Sequence, residues 1–200
     1  MTGLSKELLL GTFNRGKIKE IRQVLGDLPI QLRNLSEFPQ LSAVEETGTA
    51  YRDNALLKAM AYARQSNLQT LADDSGLEVA ALAGQPGVQS ARFGGPNLSD
   101  ADRVNLLLST LHDVEDRRAR FVCVIVISGP EYTRIFEGTC DGSLGTVPHG
   151  HNGFGYDPIF IPEGYAQTFA ALPADIKNKI SHRGKALEQV RRFLSAIDRR

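Results

Sequence analysis

Apolar runs and apolar stripes alternate along this chain, and they assign most of its elements before any chemistry is considered. Leu8 to Thr12 reads as a buried strand, and beyond the loop Phe13-Asn14-Arg15-Gly16 the positions Ile18, Ile21 and Leu25 fall on one helical face. A second strand is expected near Ile30 to Leu35, followed by the polar segment Glu45-Glu46-Thr47-Gly48. From about Thr49 to Gln65 an alanine-rich stretch with Tyr51, Ala55, Ala59 and Tyr62 along one side predicts a helix. Asn54 and Lys58, four residues apart, share a face of that helix and can point at one ligand. Thr70 to Ala72 is expected to be a short strand that ends at Asp73-Asp74-Ser75-Gly76, with turns or loops at Gly84-Gln85-Pro86-Gly87 and Arg92-Phe93-Gly94-Gly95. Ser99 or Asp100 caps the next helix, whose Val104, Leu107, Leu108 and Leu111 give it a structural role. Arg120 to Ser128 and Tyr132 to Cys140, separated by Gly129-Pro130-Glu131, predict an antiparallel hairpin and therefore a mixed sheet. A glycine-rich stretch then leads to a strand over Pro158 to Ile161, and the last helix carries Leu187, Val190, Leu194 and Ile197.

Strands alternating with helices make this an α/β chain, and 200 residues with 42% hydrophobic content fit one domain spanning 1–200. Lys+Arg and Asp+Glu both total 23, so the net charge is zero and the basic excess that holds nucleic-acid polymers is missing. Small anionic ligands stay within reach. Cys123, inside an apolar run, and Cys140 read as reduced, buried thiols, which makes the cytoplasm the expected compartment. No apolar run approaches the roughly 18 residues that cross a bilayer, so no membrane partner is expected.

Asp73-Asp74-Ser75-Gly76 is the most informative stretch. Carboxylates at a strand end hold oxygen-loving cations such as Mg²⁺, although the same residues also favour a solvated turn. Gly11, with Gly16-Lys17 after four intervening residues, follows most of the P-loop spacing. The match stops at Ile18, where a P-loop has a Ser or Thr for Mg²⁺. Thr12, Asn14 and Lys17 can still grip a polyphosphate through a hydroxyl, an amide and a charge at a helix N-terminus. A P-loop-like ATPase or kinase and a non-catalytic nucleotide-binding regulator are the rival readings. Phe154, between Gly153 and Gly155 and near Tyr156, suits a stacking platform for a base, with core packing as its rival. Asp157 before Pro158 either caps a turn or accepts a hydrogen bond from a ligand. His149-Gly150-His151 lacks a third His or Cys ligand nearby and reads as a polar loop.

Taken in order, Thr12-Phe13-Asn14-Arg15-Gly16-Lys17, Glu45 to Gly48, Asn54 to Lys58, Ala72 to Gly76, Phe154-Gly155-Tyr156-Asp157-Pro158 and Ser181-His182-Arg183-Gly184 resemble the inosine triphosphate pyrophosphatase family. The resemblance runs from about Leu8 to Ile197. It implies an elongated mixed β-sheet flanked by helices, with two lobes around a central active-site cleft, in an Mg²⁺-dependent homodimer. It also implies hydrolysis of deaminated purine nucleoside triphosphates (ITP, dITP, XTP) to the monophosphate and pyrophosphate. Carried over by position, Thr12, Phe13, Asn14, Arg15, Gly16 and Lys17 would hold the triphosphate. Glu45 and Asp74 would bind the metal, and Asp74 would be the catalytic base. Ser75 would contact substrate, and Phe154, Gly155, Tyr156, Asp157, Lys177, His182 and Arg183 would line the base and phosphate pocket. Lys177, His182 and Arg183 supply donors suited to the 6-oxo group of a deaminated base. Phe13 stands where the family usually has glycine.

Overall fold

The computed structural model describes residues 7–198. Six strands form one sheet in the order β2-β1-β3-β4-β5-β6. They are β1 (Glu7–Leu10), β2 (Gln31–Asn34), β3 (Thr70–Val79), β4 (Arg118–Ser128), β5 (Thr133–Leu144) and β6 (Phe160–Pro162). The helices are α1 (Arg15–Leu25), α2 (Tyr51–Ser66), α3 (Asp100–Thr110), α4 (Ala174–Ile180) and α5 (His182–Asp198). β1 runs parallel to β2 (Leu8 opposite Leu32) and to β3 (Leu10 opposite Leu71), whereas β5 and β6 are antiparallel (Ser143 opposite Ile161). β4 and β5 are neighbours joined through residues 129–132, a connection too short for a crossover, and Gly129 N–H closes it on the Tyr132 carbonyl at 3.1 Å. The expected hairpin and mixed α/β sheet are both present.

The chain divides into two compact units. The first takes the chain up to Asp74, Cys123–Gly138 and the chain from Arg183 onward, and the second takes Ser75–Val122 and Thr139–His182. In the first unit, strand alternation sends Leu8, Leu10, Leu71, Cys123 and Ile125 against Ile21 and Leu25 of α1 and Leu187, Val190 and Leu194 of α5. Leu9, one residue out of phase, packs with Tyr62 of α2 instead. The second unit has its own core, in which Leu77 and Val79 of β3 meet Val104 and Leu107 of α3 and the rings of Phe121, Phe160 and Phe169.

β3 corrects one expectation. It does not end at the carboxylates but continues through Asp73, Asp74, Ser75 and Gly76 to Val79. Both carboxylates are buried and bonded to protein groups, so neither needs a solvated turn. A Cβ on Gly76 would strike the Gly87 carbonyl, so the glycine serves to admit the neighbouring 3-10 segment Gly87–Arg92. Ser90 Oγ of that segment accepts the Leu77 N–H at 2.8 Å. α4 was not read from the sequence because its seven residues are too few for a periodic apolar pattern. Among the described residues, no helix is long and apolar enough to cross a membrane.

Candidate active site

The phosphate-loop candidates open α1. Asn14 caps that helix, its Oδ1 accepting the Lys17 N–H at 3.1 Å, and Thr12 Oγ1 accepts the Asn14 N–H at 3.1 Å. Two of the polar side chains expected to grip phosphate thus also shape the turn. Phe13, at 60% exposure, projects into solvent, and Arg15 is exposed. Gly16 lies in the first turn of α1, and Ile18 packs against the core of the first unit. The position that a P-loop gives to a metal-binding hydroxyl is spent on packing.

Asp73 and Asp74 are adjacent on β3, so their side chains leave opposite faces of the sheet. Asp73 lies on the face of Leu71, where its Oδ2 meets Lys17 Nζ at 3.1 Å and Arg183 Nε at 3.1 Å, with Cys123 Sγ 3.9 Å away. Arg183 Nη1 in turn donates to Glu20 Oε2 at 2.6 Å. Burial alone would raise the proton affinity of Asp73, but Lys17 and Arg183 outweigh it and hold the carboxyl well below the usual range.

Asp74 lies on the α2 face. Asn54 Nδ2 donates to its Oδ2 at 3.0 Å, and Lys58 Nζ is 4.0 Å from its Oδ1. Lys58 also pairs with Glu46. The Asn54 side chain additionally clamps Gly48, accepting its N–H at 2.7 Å and donating to its carbonyl at 3.3 Å, which ties the Glu45-Glu46-Thr47-Gly48 segment to α2. Burial raises the proton affinity of Asp74, and Lys58, Lys17 and Asn54 offset that only in part. Glu45 is exposed and Glu46 half-buried. Among the described residues, no group of three or more His, Cys, Asp or Glu is arranged to hold a metal.

In the second unit, Asp157 caps its own loop, its Oδ2 accepting the Phe154 N–H at 2.8 Å. At Gly153 (φ +77°) a side chain would collide with that carboxylate, so glycine is required. Asp157 also takes the ammonium of Lys177, which lies 5.2 Å from the Phe154 ring centre and 5.6 Å from that of Phe169. Gly155 N–H donates to Asp100 Oδ2 at 2.8 Å, and the Tyr156 hydroxyl donates to the Ser90 carbonyl at 3.0 Å. His182 stacks on Phe121, with ring centres 4.5 Å apart and planes 9° from parallel. Ser75 is half-buried on β3.

The predicted residues therefore gather within each unit: Lys17 and Arg183 on Asp73, Asn54 and Lys58 on Asp74, and Phe154, Asp157 and Lys177 on one another. His149 and His151 are exposed in a loop. Sequence reasoning missed Glu20, Asp100 and Ser90. All three act on residues distant in sequence and left no signal; Glu20, although buried, lies off the apolar stripe of α1.

A family model described as the Ham1 family matches residues 8–193. The chain belongs to the Ham1 family. Among Ham1 relatives, the chain is 47% identical over 193 residues to a dITP/XTP pyrophosphatase of Syntrophobacter fumaroxidans, covering 95% of this chain and 82% of that protein. It is 45% identical to a dITP/XTP pyrophosphatase of Staphylococcus epidermidis, covering 94% and 96%. The Staphylococcus aureus Ham1 protein superposes with a TM-score of 0.85 at 42% identity, over 95% of this chain and 98% of that one. A HAM1 protein from Coxiella burnetii gives 0.87 at 42% identity, with the same coverage. The resemblance read from the motifs is borne out, and so is the α/β fold it implied.

Proposed function

We propose that this Ham1-family protein hydrolyses deaminated purine nucleoside triphosphates, with dITP, XTP and ITP as substrates, to the monophosphate and pyrophosphate. The observation that carries the reading is the setting of Asp74, a buried carboxylate oriented by Asn54 and left with a raised proton affinity, which suits a base that takes a proton from water. The substrate class is supported by relatives named dITP/XTP pyrophosphatases.

Thr12 to Lys17 hold the triphosphate at the N-terminus of α1, where backbone N–H groups and the Lys17 ammonium favour anions. Arg15 is exposed at the same helix start and adds charge to that grip. Asp74 receives the proton of the attacking water. Lys58, shared between Glu46 and Asp74, keeps the carboxylates from repelling each other and the incoming phosphates. Phe154 offers a ring face to the purine, with Tyr156 beside it lining the pocket, while Lys177 and His182 offer donors to its 6-oxo group, and Ser75 and Gly155 contact substrate. Arg183, tied to Asp73 and Glu20, contributes to phosphate binding by holding Asp73.

The residues fit Mg²⁺, because the side chains of Asp74 and Glu45 offer hard carboxylate oxygens. Glu45 and Asp74 would hold the ion, which would supply neutralisation of the charge on the polyphosphate. A protein-only cage is not required, since Mg²⁺ takes one or two carboxylates plus phosphates. A homodimer in the cytoplasm belongs to the same proposal on the strength of the resemblance, and sedimentation at micromolar concentration tests the dimer. Pyrophosphate release from dITP, XTP, ITP, dGTP and ATP tests the activity. The expected result is a kcat/KM for the three deaminated substrates well above that for the other two, and equal values for all five would remove the substrate assignment.

A further inference from the structure

We infer that Asp73 is a positioning residue for Lys17, the hub of a buried ring of charges that holds the phosphate-binding ammonium in place. The inference rests on the reading above in that Lys17 is taken to meet phosphate. The ring closes through three elements of the first unit. Lys17 of α1 meets Asp73 of β3 at 3.1 Å, Asp73 meets Arg183 of α5 at 3.1 Å, and Arg183 returns to Glu20, one turn along α1 from Lys17, at 2.6 Å. Signs alternate around it, so each charge is faced by its opposite. Asp73 and Arg183 are almost wholly removed from water, while the Lys17 side chain keeps 13% exposure.

Stability alone is a weak reason for such a ring, because well-packed apolar residues of similar volume often serve as well. A free lysine stem, by contrast, has several rotatable bonds to be fixed before its charge can act at one point. An ammonium has three donors, and Asp73 oxygen engages the ammonium from one side, which leaves donor capacity for phosphate oxygens. Held this way beside Asn14 and the open end of α1, Lys17 is ordered before substrate arrives, which is how supporting residues raise affinity. Strand alternation turns Asp73 away from Asp74, so the same geometry takes Asp73 out of the metal set.

The test is a double-mutant cycle read by calorimetry with inorganic tripolyphosphate in metal-free buffer. It compares the intact protein, Asp73→Asn, Lys17→Ala and the double variant. If Asp73 acts through Lys17, Asp73→Asn weakens tripolyphosphate binding about tenfold alone and less than about twofold in the Lys17→Ala background. Equal losses in both backgrounds, or no loss, would overturn the inference. A shift in the Mg²⁺ dependence of dITP turnover in Asp73→Asn would also overturn it, by making Asp73 a metal ligand. Should circular dichroism show that Asp73→Asn does not fold, Glu20→Gln replaces it in the cycle, with about threefold weaker binding expected and again lost without Lys17. Unchanged affinity in Glu20→Gln would then count against the ring. Turnover of dITP by the intact protein is measured in parallel. Its failure would remove the pyrophosphatase reading while the binding cycle still decides the role of Asp73.

Discussion

In the first unit Lys17, Lys58 and Arg183 meet Asp73, Asp74, Glu20 and Glu46, whereas in the second the Lys177–Asp157 pair sits beside the rings of Phe154 and Phe169. Both are buried and polar, yet they are built for different loads. A dense array of opposed charges keeps its groups oriented, as a site that must receive further charge requires. One ion pair beside aromatic faces offers stacking area and a few directed donors, which suits a flat heterocycle. The charge array of the first unit thus suits phosphate, and the aromatic pair of the second suits a flat base.

Replacing the base is the most severe way to break the contrast. Asp74→Asn should lower kcat for dITP by roughly 10²- to 10⁴-fold. Its melting temperature should stay close to that of the intact protein, because Asn54 and Lys58 still find a polar partner. A pyrophosphate-release assay beside a thermal melt reads both, and near-normal turnover would take Asp74 out of the mechanism. Lys177→Met should remove a donor to the base and, in addition, lower stability, since Asp157 loses the buried ammonium at a cost of about 3–5 kcal/mol in urea unfolding. A loss well under about 1 kcal/mol would mean that the pair is not effectively buried in solution.

How much of this was visible in the chain depends on how local each signal is. Ser99 and the Asn54–Lys58 pair act within a few residues of themselves, so a cap and helical spacing revealed them. β3 misled, because Asp-Asp-Ser-Gly carries the composition of a turn. Its partners are Lys17, Arg183, Asn54 and Lys58, and they make the carboxylates tolerable inside a strand only after distant segments have assembled. The same holds for α3. Its apolar stripe announced a structural helix, yet its first residue, Asp100, accepts the Gly155 N–H and so shapes the aromatic loop. Arg183 was placed by motif in a substrate pocket, and its guanidinium is found bonded to Glu20 and Asp73, a position that only the tertiary fold decides.

Phe154→Leu sharpens the comparison. Loss of base stacking worth about 1–3 kcal/mol should raise KM for dITP by roughly 5- to 150-fold, with tripolyphosphate affinity unchanged. A parallel loss of tripolyphosphate affinity would show that the ring serves the phosphates instead. The smallest effect is at alkaline pH, and it involves one group in each unit. Burial pushes the Cys123 thiol from 9.0 up to about 12 and the Tyr156 phenol from 10.0 up to about 12. Both folded values lie above the unfolded ones, so their contribution to stability is fully present below pH 9.0 and is lost as pH rises toward about 12. Urea midpoints should therefore hold through neutral pH and fall above pH 9.0, and in the native state Cys123 should resist a thiol reagent that labels it at once in denaturant. A midpoint that rises in alkali would reverse the sign of the account.

In the proposed reaction, Asp74 on the α2 face of β3 serves cleavage of the α–β anhydride of a deaminated purine triphosphate. Phosphorus NMR of the products formed from dITP with Mg²⁺, by the intact protein and by Asp74→Asn, tests it most directly. Monophosphate and pyrophosphate are expected from the intact protein and unchanged triphosphate from the variant. Diphosphate and orthophosphate, or equal turnover by both proteins, would contradict it.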